Sequence, residues 1–592
     1  MSVIGPLKTL EELLSFDLPL LFVVEPLRHI ERGEQGGPKN MLLHDTATYK
    51  EDKFVYGSNN VKSYNFPLWQ AIDTFVYYTD NMVSIPPPGW ITAAHKHGVK
   101  VLGTFTLKSE EGVKAINKIK GAHLVAKVAS QLARVAALHR FDGWMVRIVT
   151  GMDCSAGHFV ISLLAALTEE MHRAVAGSAV IWQESVQPGG KVEPQSELND
   201  RNLRFFDSCD GIVLNSKWHE DSLIESAESA GKRRGDVYAG IDVLTRGTCH
   251  ESRYEMHKAV AIARKYGLSA AISGAGWVYV EDRLVHLDPR LMRSTIHGTD
   301  FTLNFRQNQC QLWALPEKCR PQWRVTTLPL STTFCQGFGT SLYKNGRVIK
   351  PAPWFNLSKQ ELQPRYQGGK LCGGGGTAML DTSVSFNGGG CLRLEYDPKL
   401  ATKPNVVPYF RLFDFNLPLD SLCVSYTYTD KNRGSLAGHD MSLTLKVREA
   451  AGNIAELTLG SLIFVPQSGK YIVERDFTSS TQGDEGQEQR DWWTRKYLVK
   501  DVTGSANLEE IGVSFGANES LAFFIGELVV ERAEVGSMAS RDSPSNKDGA
   551  DRPETEAGLR EWLAKKDETG QDDPTQEAPI AFDVSMSSDE GD

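Results

Sequence analysis

The sequence predicts a (β/α)8 TIM barrel followed by a C-terminal β-sandwich domain and a disordered acidic tail. Three observations lead to this fold class. Strand-like and helix-like patterns alternate eight times over about 250 residues, which is the usual size of such a barrel. Short strands with period-2 alternation follow beyond residue 371. The chain of 592 residues is also too long for a single hydrophobic core.

Eight apolar runs supply the strands of the predicted barrel, because short apolar segments between turn signals suit a parallel sheet buried on both faces. Helical patterns lie between them, as at residues 115–138, 159–175 and 253–266, the last ended by Gly267. The predicted strands are residues 41–46, 73–78, 100–107, 143–149, 179–186, 211–215, 237–244 and 270–274.

The changes of pattern along the chain set the predicted domain boundaries. Sandwich strands are predicted at residues 421–428, 441–448, 456–464 and 522–531. A short helix or turn is expected at 357–364 and a flexible glycine-rich turn at 368–376. The predicted organisation is an N-terminal extension (1–37), the barrel (38–330), a connector (331–370), the β-sandwich (371–536) and the tail (537–592).

The composition excludes several classes of partner. A net charge of −10 and a pI near 5.9 argue against nucleic acid and against an anionic membrane. Neither a signal peptide nor a membrane-spanning segment is evident, so a cytoplasmic protein without membrane insertion is expected. The nine cysteines lack metal-ligand spacing, and His95 and His97 are expected to be solvated or to cap a helix. Neither a metal nor a cofactor is therefore predicted.

The stretch FDGWMVRIVT, residues 141–150, contains the most informative strand of the barrel. Strand alternation places Met145, Arg147 and Val149 on one face and Trp144 on the other. Because arginine is rarely buried without a partner, the face with Arg147 is expected to open to water or a ligand. The alternative is an Arg147 side chain that reaches solvent at the strand end or pairs with a neighbouring carboxylate.

Aromatic and polar residues occur together at the carboxyl ends of several predicted strands, where a (β/α)8 barrel has its pocket. This combination suits a carbohydrate, whose ring has an apolar face and whose hydroxyl groups need hydrogen-bonding partners. The alternative is that the tryptophans are core residues. The ligand-binding candidates are Trp144, Arg147, Trp182, Glu184, Asn215, Trp218, Asp242, Arg246 and Trp277.

Several long stretches resemble the cytosolic endo-β-N-acetylglucosaminidases of glycoside hydrolase family 85. The resemblance covers roughly residues 38–370 and implies a barrel with a C-terminal β-sandwich that cuts the chitobiose core of N-glycans. The matching stretches are IDTFVYYTDNMVSIPPPGWITAAHKHGVKVLGTF (72–105), FDGW (141–144), ELNDRN (197–202), FFDSCDG (205–211), VYAGIDVLTRG (237–247), GWVY (276–279) and TFCQGFG (333–339).

The resemblance also implies substrate-assisted hydrolysis, in which the 2-acetamido oxygen attacks the anomeric carbon. An Asn orients that amide, and a Glu two residues later protonates the leaving oxygen. In this chain Arg147 occupies the Asn position and Val149 the Glu position. No catalytic residue therefore stands at the family positions. The family's Trp-Tyr-Asp-Ser segment is also changed, to Trp182-Gln183-Glu184-Ser185.

Three functional hypotheses follow, and they leave open whether the chain is an enzyme. The first is an endo-β-N-acetylglucosaminidase-like protein that is hydrolytically weak or inactive and binds an N-glycan or another oligosaccharide. The second is an active glycosidase whose acid has moved to Glu184 or Asp242. The third is a non-enzymatic interaction scaffold that acts through the β-sandwich and the acidic tail, with the tail as the expected site for a protein partner.

Overall fold

The fold was analysed in a computed structural model. It describes residues 3–17, 23–32, 37–45, 49–50, 52–121, 123–153, 155–244, 255–279, 308–364, 374–401, 409–430, 441–467, 469–481, 491–515 and 521–533. The acidic tail predicted at 537–592 lies outside these residues.

The eight predicted parallel strands are present and close into a barrel, which confirms that part of the fold class. The closure is completed by β3 pairing with β5, and β4 adds an antiparallel strand to β5. The first ten strands are β1 Ile30–Arg32, β2 Asn40–His44, β3 Thr74–Tyr77, β4 Val83–Ser84, β5 Lys100–Leu107, β6 Gly143–Ile148, β7 Ala179–Gln183, β8 Gly211–Val213, β9 Val237–Asp242 and β10 Ser269–Ser273. Strands β2, β3 and β5 to β10 form the barrel wall.

Helices cover the outside of the barrel, as its strand-then-helix pattern predicts. The helical pattern at 115–138 divides into two helices, and Arg140 ends the second in a left-handed conformation. The helices are α1 Leu10–Leu14, α2 Pro88–Lys96, α3 Ser109–Gly121, α4 Val125–His139, α5 Ala156–Ala174, α6 Leu203–Asp207, α7 Glu220–Ala230 and α8 Met256–Lys265. Among the described residues, no helix is both long and apolar enough to cross a bilayer.

Two apolar layers hold the barrel together, one on each face of its wall. The inner layer contains Met41, Val76, Leu102, Met145 and Ile181, so strand residues of this parity point into the barrel. The larger outer layer joins the strands to the helices. Each fully buried aliphatic side chain contributes about 1.5–3 kcal/mol to stability.

Aspartates that immediately precede strands close the amino-terminal rim of the barrel. The carboxylates of Asp73, Asp142 and Asp210 accept hydrogen bonds of 2.7–2.8 Å from the backbone N–H groups of Asn40, Val101 and Val180. Each bond satisfies a donor on the preceding strand of the wall, where the ladder begins. The three residues are therefore structural, not part of a catalytic constellation.

The C-terminal region contains two seven-stranded sheets, as the predicted β-sandwich requires. The first has the order β1-β11-β19-β26-β21-β22-β23, and the second is built from β17, β18, β27, β20, β25 and β24 with β12 on β27. Their facing apolar side chains form one core. The strands are β11 Trp323–Val325, β12 Leu330–Thr332, β13 Gln336–Gly339, β14 Leu342–Lys344, β15 Arg347–Lys350, β16 Trp354–Gln360, β17 Gly374–Asp381, β18 Cys391–Ala401, β19 Tyr409–Pro418, β20 Ser421–Asp430, β21 Met441–Arg448, β22 Ile454–Leu459, β23 Ile463–Phe464, β24 Tyr471–Thr481, β25 Trp492–Asp501, β26 Asn507–Phe515 and β27 Leu521–Arg532.

The connector differs from its prediction. The prediction of a short helix or turn at 357–364 is wrong. Residues 357–360 belong to β16, which pairs with β13, and residues 361–364 form neither a helix nor a turn. Phe355 and Leu357 are buried with period-2 alternation, so packing selects the extended conformation. Of the predicted glycine turn, residues 368–373 lie outside the described residues and Gly374–Asp381 forms β17.

Helix α2 joins the barrel to the sandwich through two histidines. Of the two alternatives predicted for them, solvated rings are wrong, because both rings are buried. Helix capping is confirmed for His97, which is the C-cap of α2 and has its Nδ1 2.7 Å from the Ala93 carbonyl oxygen. His95 Nε2 lies 2.8 Å from the Asp142 carboxylate. His97 Nε2 accepts a 2.9 Å hydrogen bond from the Gln363 N–H, and its carbonyl accepts one from the Trp323 indole. The predicted barrel and connector therefore share buried hydrogen bonds.

Candidate functional site

The candidate site lies at the carboxyl ends of the barrel strands. Strand parity identifies its lining, because the residues two positions beyond inner-layer residues point into the same space. Tyr78 follows Val76 on β3, Arg147 follows Met145 on β6, and Gln183 follows Ile181 on β7. The sequence prediction that Arg147 lies on a pocket-lining face agrees with this position.

Arg147 is held by groups from the neighbouring strand ends. Its Nη1 lies 3.2 Å from the Asp80 Oδ1, and its guanidinium carbon lies 5.3 Å from the centre of the Tyr78 ring. Lys108 Nζ lies 2.9 Å from the other Asp80 oxygen. The Tyr78 hydroxyl donates a 3.2 Å hydrogen bond to Gln183 Oε1. Arg147 is thus both salt-bridged and open to the mouth, with 22% of its side chain exposed.

The electrostatics of this cluster are dominated by the two cations around Asp80. The Lys108 hydrogen bond, together with the charges of Lys108 and Arg147, lowers the pKa of the Asp80 carboxyl. Burial raises the pKa of the Tyr78 hydroxyl, although the Arg147 charge opposes that shift. Tyr78 is therefore a neutral hydrogen-bonding group at physiological pH, and Asp80 is ionised and unsuited to donate a proton.

Val149 follows the end of β6 on the same parity as Arg147. Its side chain is half-buried, and its backbone N–H donates a 2.9 Å hydrogen bond to the Leu107 carbonyl. An aliphatic side chain has no proton to transfer. The position that the resemblance assigns to the general acid therefore has none.

Asp242 is a second carboxylate with pocket parity, because Tyr238 on the same strand belongs to the inner layer. It is buried at the end of β9, and its Oδ1 accepts a 2.9 Å hydrogen bond from the Leu244 N–H. Asn215 follows β8 and is partly exposed. Its backbone N–H donates a hydrogen bond to the Gln195 carbonyl. Arg246 lies outside the described residues.

The four candidate tryptophans do not form an aromatic rim at the mouth. All are buried, and three of them make hydrogen bonds or ring contacts on the helix-facing side of the wall. The Trp144 indole donates to the Leu132 carbonyl of α4, Trp182 packs on Phe205 of α6, and the Trp218 indole donates to the Gly240 carbonyl. The prediction that Trp144, Trp182 and Trp218 contact ligand is wrong, because these large rings fill the space between strands and helices. The prediction for Trp277, which follows β10, stays a prediction.

Glu184 lies two residues after Trp182, so its side chain is on the same, helix-facing side and points away from the pocket. Its carboxyl is 4% exposed, and Oε2 accepts a 3.3 Å hydrogen bond from the Trp182 indole, with further help from the Asn202 side chain. Oε1 has no hydrogen-bond partner. Burial raises the pKa of Glu184 to about 7. The pKa would suit a general acid, but a sealed carboxyl cannot reach a leaving oxygen.

Three members of the Arg147 cluster were missed from the sequence, namely Tyr78, Asp80 and Lys108. The signal was present, because 73–78 and 100–107 were both predicted strands and these residues stand at or just beyond their carboxyl ends. The sequence distinguishes Gln183 only as a residue that differs from the family's Trp-Tyr-Asp-Ser segment. Among the described residues, no group of three His, Cys, Asp or Glu side chains could hold a metal ion.

Comparison with known proteins gives consistent matches. Residues 47–342 match Glycosyl hydrolase family 85. The cytosolic endo-beta-N-acetylglucosaminidase of Mus musculus is 32% identical over 552 residues, covering 88% of this chain and 71% of that protein. The Gallus gallus protein of the same name is 39% identical over 56% of this chain, and the Homo sapiens protein is 36% identical over 57%. These two alignments span only 43% and 44% of the relatives' own lengths.

A solved structure agrees with the fold. The glycoside hydrolase domain of Endo-D from Streptococcus pneumoniae R6 superposes with a TM-score of 0.63 at 16% identity, covering 90% of this chain and 83% of that one. At this identity the likeness concerns the arrangement of strands and helices.

Proposed function

This chain belongs to glycosyl hydrolase family 85, and we propose that it binds the chitobiose core of N-glycans while hydrolysing it weakly or not at all. The observation that carries the proposal is the pocket face of β6, where Arg147 and Val149 stand two residues apart. Those are the positions that the resemblance assigns to the orienting Asn and the proton-donating Glu.

The loss of hydrolysis follows from the chemistry of the two side chains. Removing a general acid costs about 10²–10⁴ in rate, and Val149 cannot replace it. Arg147 keeps a fixed positive charge at the mouth, near the sugar ring that becomes positively charged in the transition state. This charge raises the barrier further, because electrostatic catalysis requires groups of the opposite sign.

Neither relocated carboxylate offers a complete replacement. Glu184 is buried on the helix-facing side with Trp182 and Asn202. Asp242 has pocket parity, but it is buried and its Oδ1 already accepts a hydrogen bond from the Leu244 N–H. A substrate-assisted reaction needs only one protein carboxyl as acid, so Asp242 is the residue to test if hydrolysis is found.

Glycan binding is supported by the polar ends of the strands and by the relatives. Tyr78, Gln183 and Asn215 offer neutral hydrogen-bonding groups at neighbouring strand ends, as sugar hydroxyls require. The relatives are named cytosolic endo-beta-N-acetylglucosaminidases. We extend both the ligand class and the cytosolic location from them to this chain.

The test combines hydrolysis with binding on the full chain. A dansylated high-mannose Asn-glycan is incubated with the unmodified protein and with the double variant Arg147→Asn, Val149→Glu. We expect the unmodified protein to release little or no glycan and to bind it, with binding measured by isothermal titration calorimetry. The double variant should hydrolyse at least 100-fold faster, because the acid is restored.

Two single variants serve as controls. Glu184→Gln should alter neither binding nor release, because the carboxyl is sealed from the pocket. Release of glycan by the unmodified protein at a rate equal to that of the double variant would overturn the proposal. If Asp242→Asn then abolished that release, the acid would be Asp242. Failure of the unmodified protein to bind the glycan would overturn the binding half.

A further inference from the structure

A second cavity lies at the opposite end of the barrel from the candidate site. Its volume is about 1600 Å³, and residues at the amino-terminal starts of strands line it, including Lys39, Thr74, Lys100 and Ala179. A segment at 318–326 and another at 27–31 form further parts of its wall. Barrel enzymes carry their chemistry at the other end. This amino-terminal cavity is therefore separate from the glycan site.

The amino-terminal cavity is positively charged in an otherwise acidic protein. Eight lysine and arginine residues line it against four aspartate and glutamate residues, whereas the whole chain has a net charge of −10. The aspartates already have partners. Asp236 lies 2.9 Å from Lys39 and 3.5 Å from Arg233, and Asp210 accepts the Val180 N–H. Lys265 is paired at 2.6 Å with Glu220, which lies outside the lining, and the other cations leave an excess of positive charge within the cavity.

Three of these cations form hydrogen bonds to neutral oxygen atoms. Arg28 donates to the Pro329 carbonyl at 2.6 Å, and Lys100 donates to the Gly177 carbonyl at 2.7 Å. Arg264 donates to the side-chain oxygen of Asn40 at 2.7 Å. Burial lowers the pKa of all three groups, although the charges of Asp73, Asp142 and Asp210 oppose this shift at Lys100 and that of Asp73 opposes it at Arg264. An anion among them would relieve this cost.

The floor of the cavity is apolar. Met41, Leu102, Ile181 and Tyr238 of the inner layer lie at its base, each at most 3% exposed. Leu27 and Pro38 add exposed apolar surface to the wall. A cationic rim over an apolar floor fits a ligand with an anionic group and an organic body. The volume exceeds the roughly 300–1,000 Å³ of ordinary small-molecule sites, so a ligand of that size fits with water.

We propose that the amino-terminal cavity binds a multiply phosphorylated organic molecule of nucleotide size. The phosphoryl groups contact the rim at Arg28, Lys100 and Arg264, and the organic body packs against the apolar wall at Leu27 and Pro38. Arginine and lysine are the usual partners of phosphoryl oxygens, and arginine offers them paired N–H donors. The proposal does not depend on the function of the glycan site.

The test uses two probes on the full chain without metal ions. Adenosine triphosphate carries the anion and an organic body, and sodium tripolyphosphate carries the anion alone. Affinities are measured by isothermal titration calorimetry at fixed ionic strength. We expect both probes to bind and adenosine triphosphate to bind at least threefold more tightly. Absence of binding by both at millimolar concentration would overturn the proposal, and equal affinities would overturn its organic part.

Matched variants locate the site. The double variant Arg28→Gln, Lys100→Gln should weaken both probes at least tenfold, whereas Lys127→Gln on the exposed face of α4 should change nothing. Lys318→Glu, an exposed substitution at the rim, keeps the test decisive if the double variant fails to fold. It should weaken both probes at least threefold. Equal affinities in Lys318→Glu and Lys127→Gln would overturn the location.

Discussion

The buried carboxyl of Glu184 makes the stability of the barrel depend on pH. Burial raises its pKa to about 7 in the folded chain, from an ordinary value of 4.5. Between these values the folded state holds a proton that the unfolded state releases. Stability conferred by this residue is therefore present at low pH and is lost as pH rises from about 4.5 to about 7.

The magnitude follows from the size of the shift. The rise of the Glu184 pKa from 4.5 to about 7 corresponds to about 3.4 kcal/mol at full titration, because each pKa unit is worth about 1.4 kcal/mol. Glu184→Gln replaces the titrating group by a neutral one of nearly equal shape. The free-energy difference between the variant and the unmodified chain should therefore move in favour of Gln by about 2–3 kcal/mol between pH 5 and pH 8.

The assay is the melting temperature of both proteins by differential scanning calorimetry at pH 5, 6, 7 and 8. For a domain of this size, the predicted difference corresponds to a relative rise of about 5 °C for the variant. Glu110→Gln, at an exposed site on α3, is the matched control. Its melting temperature should change with pH in the same way as that of the unmodified protein. Parallel pH profiles for Glu184→Gln would refute the assignment of a protonated, buried carboxyl.

Three further substitutions test the barrel wall and the Arg147 cluster. Asp142→Ala should destabilise by about 3 kcal/mol in urea unfolding, because His95 and a backbone N–H lose a buried partner; a loss below 1 kcal/mol would contradict this. Gly143→Ala should abolish the native circular dichroism spectrum or lower the melting temperature sharply, because its φ is 149° and a Cβ would stand 1.9 Å from the Ala179 carbonyl oxygen; an unchanged melting temperature would be incompatible with that backbone. Asp80→Asn should change the unfolding free energy by less than about 1 kcal/mol, because the ion pair is largely exposed; a larger loss would show that the cluster is structural.

Most of the fold could be predicted because backbone periodicity is a local property. All eight barrel strands and the sandwich strands at 421–428, 441–448 and 522–531 were found in this way. The segment predicted as one strand at 456–464 is two, β22 and β23. The division of 115–138 into two helices and the extended β16 depend on partners distant in sequence, which periodicity does not reveal.

The site was predicted less well for a definite reason. Alternation correctly separated Trp144 from Arg147 on β6, but it does not say which parity faces the inside of a barrel. Both faces of a parallel barrel strand are apolar. Trp182 and Glu184 were therefore assigned to the mouth, whereas inner-layer packing places Gln183 there. Arg147 was identified because its charge cannot be buried without compensation.

Strand β11 connects the barrel to the sandwich, and this connection determines how a truncated chain would behave. β11 pairs with β1 from the chain's beginning and with β19 from the sandwich, so one sheet draws on three distant parts of the sequence. A gene shortened at residue 330 would leave β11 as an unprotected edge, which invites self-association. The indole of Trp323, which donates to the His97 carbonyl, would lie in the same exposed segment. The barrel and the C-terminal sheets therefore depend on each other for their solubility, and a chain truncated at this point is expected to self-associate whatever activity its barrel retains.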